Sequence, residues 1–158
     1  MNRRGMAEVA ATLQTSRYCD VPHLVMLVDG EPLDELLAQV CCRKDLAGLI
    51  SALGDALYEL NESQLVWSRI LAAGQPTIAP LLICPDCCAF DCTVVVAEVR
   101  RTGLEIEWTR FGLDVGGDGQ PPGRFTDWFS PSPALRFPLA DYERFLARCR
   151  ELEPWRPM

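Results

Sequence analysis

The apolar positions of this chain change rhythm near residue 76. Before it, aliphatic residues recur every three or four positions. After it, they come in short β-branched and aromatic runs separated by turn residues. Residues 1–20 are the least patterned stretch, and a short helix is expected over Met6–Leu13. Leu24–Val28 is an unbroken aliphatic run that reads as a buried strand, closed by the Asp29-Gly30 turn. Glu31-Pro32-Leu33 then leads into a helix that Asp34 is expected to cap, with Leu36, Leu37 and Val40 on its inner face. Leu46, Leu49, Ile50, Leu53, Leu57 and Leu60 form one stripe and predict a helix from Asp45 to about Leu60. Gly48 and Gly54 weaken that helix by about 1 kcal/mol each relative to alanine. Ser63–Ala73 predicts another, ended by Gly74 and Pro76.

Ile78–Ile83, Thr93–Val99 and Leu104–Phe111 read as sequential strands, the last two joined through Arg100–Gly103 as a hairpin. Alternation along the third places Leu104, Ile106 and Trp108 on one face and Glu105, Glu107 and Thr109 on the other. Gly112–Arg124 is rich in glycine and proline and reads as a loop. Phe125–Phe129 and Leu135–Phe137 are short extended pieces. Asp141 is expected to cap a final helix that buries Tyr142, Phe145, Leu146 and Cys149 and stops before Pro154. The implied class is α+β: N-terminal helices, an antiparallel meander of about three to five strands, and a C-terminal helix packed on the sheet.

Composition narrows the function. The 158 residues fit one domain, and 49% hydrophobic with 23% charged residues is a globular composition. Fifteen basic against 22 acidic residues give a net charge of −7, which argues against nucleic acid as a partner because such binding rests on cationic neutralisation of phosphate. Arg3 and Arg4 begin like a targeting segment, but no apolar core follows, and no run approaches the ~20 apolar residues of a membrane span. A soluble, cytoplasmic protein is expected.

Cysteines supply the loudest local signal. There are eight, and Cys84, Cys87, Cys88 and Cys92 fall within Cys84-Pro85-Asp86-Cys87-Cys88-Ala89-Phe90-Asp91-Cys92. Two thiolates at a Cys-x-x-Cys spacing grip one zinc ion from a tight turn, but a structural site usually adds a second pair. Here Cys88 and Cys92 would complete it locally, or Cys19, Cys41, Cys42 or His23 would fold over. A thioredoxin-like pair at Cys84 and Cys87 lacks the following helix whose dipole would activate the thiol, since Thr93–Val96 reads as strand. The plainer account is a cysteine-rich turn with partly buried sulfurs, and from sequence it is the default.

Other constellations are incomplete. His23 is the only histidine, which excludes a two-imidazole zinc enzyme. No phosphate-binding glycine loop precedes Lys44, and Gly116–Gly119 has no helix behind it. With no reactive centre assembled, the chain reads as non-catalytic and without a resident cofactor, zinc being the alternative. Glu98, Glu105 and Glu107 on the outer face of the hairpin, with Asp114 and Asp118 in the adjoining loop, form an acidic surface suited to a basic protein partner. Trp128 beside that loop is a candidate anchor for such a partner.

Leu27-Val28-Asp29-Gly30-Glu31-Pro32-Leu33, the Cys84–Cys92 turn, Trp108 with Phe111, and Trp128 ahead of Phe137-Pro138-Leu139 and Tyr142 resemble a loosely bounded group of small acidic bacterial proteins without an assigned activity. Size, charge and the lack of catalytic residues are also similar to those of immunity proteins that neutralise toxins, a likeness that transfers no site residue. The expected function is therefore to bind a cognate toxin and occlude its active site. The alternative is a zinc or thiol-redox protein centred on Cys84–Cys92.

Overall fold

The computed structural model describes residues 5–16, 19–53, 56–116 and 121–152. The class is α+β, but the described residues contain nine strands in two antiparallel sheets and not one short meander. The chain opens on a hairpin where a helix was expected: β1 (Val9–Ser16) pairs with β2 (Cys19–Val28), Val9 opposite Val28 and Leu13 opposite Leu24. Alanines at 7, 10 and 11 suit a helix, but Val9, Thr12 and Thr15 fit a pleated strand, and pairing with the aliphatic β2 decides. The two-residue β3 (Glu31–Pro32) completes this sheet.

Helix α1 (Leu33–Val40) begins one residue before the expected cap. Pro32 is the N-cap residue, and Asp34 instead lies buried in the first turn, accepting a hydrogen bond from the Gly48 amide at 2.7 Å. Leu33 and Leu37 are buried, whereas Leu36 and Val40 are only half-buried. The expected helix over Asp45–Leu60 is not formed. A single 3-10 turn (Lys44–Leu46) and β4 (Ile50–Ser51) occupy its first part, and Gly48 between them has φ +97°, outside any helix. Leu46, Leu49, Ile50, Leu53 and Leu57 are nonetheless buried, whereas Leu60, the last member of the stripe, is 59% exposed at the start of the next helix, so the stripe marks burial at five of its six positions while its spacing mimics a helix. Helix α2 (Leu60–Arg69) lies about three residues earlier than expected.

The larger sheet has the order β4, β5 (Thr77–Ile83), β6 (Val94–Thr102), β7 (Glu105–Asp114), β8 (Thr126–Trp128), and β9 (Leu135–Pro138) pairs with the other half of the β7 edge. Ala79–Ile83 and Val94–Ala97 are buried at every position, the pattern of strands covered on both faces. The β6–β7 turn is tighter than expected, Thr102 facing Glu105, so Leu104 sits in the turn with 80% exposure and not on the buried face. Gly112–Asp114 belong to β7 and not to a loop, and residues 117–120 lie outside the described residues.

Helix α3 (Leu139–Leu152) packs on β1, β9 and β7. Asp141 lies in its first turn and is not the cap residue, because the helix already starts at Leu139. Beneath it Trp108, Phe111, Phe137 and Tyr142 are fully buried, with Trp108 edge-on to the other three rings at 4.9–6.0 Å. The Tyr142 hydroxyl accepts from Trp108 Nε1 at 3.1 Å and donates to the Ile70 carbonyl at 2.9 Å, which ties β7, α3 and the end of α2 together. No helix among the described residues is long and apolar enough to cross a membrane.

Candidate metal centre

The connection between β5 and β6 is built to hold sulfur. Past the Ile83–Val94 pair the ladder gains one more bond, from the Cys84 amide to the Thr93 carbonyl at 3.3 Å, which sets Cys92 beside Cys84 at the base of the turn. Pro85 fixes the backbone at the first turn position, and the Cys88 amide returns to the Cys84 carbonyl at 3.0 Å. Cys84 and Cys87 are thus close to one helical turn apart, on one side of it. Cys88 closes the turn with φ +51°, which points the chain away from a continuing helix and toward β6.

Three sulfurs converge. The Sγ atoms of Cys84, Cys87 and Cys92 all lie within 4.8 Å of one another, the only such metal-competent cluster among the described residues. A tetrahedral ion with Zn–S bonds of about 2.3 Å holds its sulfurs about 3.8 Å apart, so a contraction of at most about 1 Å seats it. Cys87 and Cys92 are exposed and Cys84 is half-buried, so the fourth side of the cluster faces solvent. The Cys87 thiol donates within the cluster, chiefly to Cys92 and also to Cys84, which pushes its pKa up to about 12. Accepting that bond, and a second from the Thr93 backbone, holds Cys92 below the ordinary thiol range.

Cys88, counted with the other three from spacing, is not a member. Its thiol donates to the Pro85 carbonyl at 3.2 Å and its side chain packs against the core. Sequence spacing cannot show this, because it follows from the left-handed backbone at that residue. Sequence reading also missed what pins the turn. Both carboxylate oxygens of Glu62, in the first turn of α2, stand 3.3 Å from the Phe90 amide, and the Tyr58 amide donates to the Cys88 carbonyl at 3.1 Å. Burial raises the Glu62 pKa, the Phe90 amide opposes that, and Glu59 and Asp91 add to it. Twenty-eight residues separate Glu62 from Phe90, and no local motif marks the pair.

The expected partner-binding residues are placed differently from a free acidic patch. Glu98 accepts from the Thr109 hydroxyl at 2.6 Å and lies 3.4 Å from Arg110 and 3.9 Å from Arg100. Glu105 is held by the Arg136 guanidinium at 2.8 Å. Glu107 sits opposite Arg100 and Arg136 in the ladder. Asp114 accepts from the Gly123 amide at 3.2 Å, and Trp128 is half-buried under the Arg110 guanidinium, 3.8 Å from its ring. Asp118 lies outside the described residues. The outer face of the hairpin is consequently a mixed-charge lattice. His23 is on β2, bonded through Nδ1 to the Val21 carbonyl at 2.9 Å, and is not part of the sulfur cluster.

Fold and site together describe an α+β protein with a solvent-facing three-cysteine turn. No protein-family model, curated protein or solved structure matches the chain.

Proposed function

We propose that the protein binds a thiophilic divalent cation, zinc in the cell, through the Cys84, Cys87 and Cys92 thiolates. The observation that carries this reading is the convergence of three sulfurs within 4.8 Å on a turn held by backbone bonds and by Glu62. Three protein ligands leave one coordination position to water or an exchanging ligand. Three thiolates on a dication give a site of net charge −1, which weakens the ion as a Lewis acid and suits holding and handing over the metal better than hydrolysis. Competition for zinc against a chromophoric chelator tests the reading. One ion per chain is expected, lost on combined replacement of Cys84, Cys87 and Cys92 by serine. Retention of zinc by that variant would overturn it.

A second reading, occlusion of the active site of a basic toxin, is supported by the net charge of −7 and by Val115 and Phe125. These two residues are bonded across the open end of β7 and β8 and are 57% and 52% exposed. Recovery of a protein toxin with the full chain from its native host is the expected result, and loss of that complex in Phe125→Asp would place the contact there.

A further inference from the structure

We propose that the cavity between β2, α1 and β4 is a binding site for a small aliphatic primary amine in its protonated form. The cavity encloses about 120 Å³. An engineered cavity of about 150 Å³ admits benzene, so this one holds a ligand of about five non-hydrogen atoms. Its walls include Met26, Leu33, Leu49 and Leu82, which suit a short hydrocarbon chain.

The polar groups select the charge. Asp34 is 8% exposed and lines the cavity. Its Oδ2 takes the Gly48 amide at 2.7 Å, while Oδ1 accepts no hydrogen bond from any described residue. A carboxylate oxygen accepts more than one donor, so Oδ1 has its hydrogen-bonding capacity left for a ligand in the cavity. Ser51, 4% exposed on the same wall, accepts from the Leu53 amide at 3.0 Å, and no described residue takes its hydroxyl proton. His23 uses Nδ1 as the donor to Val21, which leaves Nε2 an acceptor. Glu35 stands at the rim, and no lysine or arginine lines the space. A site rich in acceptors, carrying two carboxylates and no cation, favours an ammonium group, which brings three donors and one positive charge. A neutral alcohol of the same shape leaves the Asp34 charge uncompensated, and a carboxylate ligand is repelled.

Titration of the full chain with n-butylammonium, followed by two-dimensional amide NMR, tests this independently of the cysteine cluster. Saturable shifts at residues 23, 34 and 51 are expected, with n-butanol at least tenfold weaker and butyrate without effect. Asp34→Asn keeps an acceptor for Gly48 and is expected to bring butylammonium down to the affinity of butanol. Gln14→Trp, at an exposed rim position away from the core, is expected to block the shifts while leaving the rest of the spectrum in place. Equal binding of alcohol and amine, no saturable shift at those residues, or amine binding that survives Gln14→Trp would overturn the proposal, even if the Asp34 variant failed to fold.

Discussion

At Gly112 a side chain has nowhere to go. A Cβ there would stand 2.6 Å from Thr126 Cγ2, 2.8 Å from the Asp127 carbonyl and 2.9 Å from the Trp128 ring. The backbone oxygen cannot rotate aside, so Gly112→Ala is expected to force β8 off β7 and cost about 2 kcal/mol in urea unfolding. Glu98 makes a different kind of contribution, set by charge. The Thr109 hydroxyl, followed by Arg110 and Arg100, holds its carboxyl below the usual range against the opposing cost of burial. A depressed native pKa contributes stability above the ordinary carboxylate value and loses it as pH falls through the native one. Glu98→Gln is therefore expected to cost about 1 kcal/mol at neutral pH and progressively less as pH falls below the ordinary carboxylate range, checked by melts across that span. Neither residue announced its partner in the sequence. Gly112 reads as the start of a loop, and the arginine contacts of Glu98 depend on a bulge that sets Glu98 against Arg110 and Val99 against Trp108.

Among the elements, the strands were more legible than the helices. Ile78–Ile83 and Thr93–Val99 combine β-branched residues with turn residues at both ends, signals that tertiary context does not overturn here. The Asp45–Leu60 stripe misled because a loop that buries every third or fourth leucine has the periodicity of a helix without its hydrogen bonds. Met6–Leu13 misled in the opposite direction, its alanines concealing a strand that only the pairing with β2 creates. The cysteine turn was legible as a position and in three of its four sulfurs. The Cys88 exception and the Glu62 brace required the fold, the one resting on a backbone angle and the other on contact between distant segments. Glu62→Ala is expected to loosen the turn and weaken zinc binding about tenfold while leaving the helical circular dichroism unchanged, since a group that orients metal ligands typically carries that much affinity. Unchanged affinity in that variant would show that the turn holds its shape alone.

Across the whole molecule, a buried core joins two sheets and α3, and Tyr142 is the one polar pin described within its aromatic centre. Tyr142→Phe removes the acceptor of Trp108 Nε1 and the donor to Ile70 in a site with no exposure, and is expected to lower stability by about 2 kcal/mol in denaturant titration with the fold retained. The cysteine turn connects β5 and β6 at the end of the larger sheet and is braced by α2, with its Cys87 and Cys92 sulfurs exposed, so in the proposed site metal would come and go without dismantling the protein. Apo protein is accordingly expected to stay folded, unlike small zinc domains whose folding depends on the ion. The number of sulfur ligands defines the proposed site. X-ray absorption at the zinc edge of the zinc-loaded chain measures it directly. Three sulfur neighbours at about 2.3 Å and one lighter atom are predicted. A shell of nitrogen and oxygen alone, or of four sulfurs, would rule out the three-cysteine site.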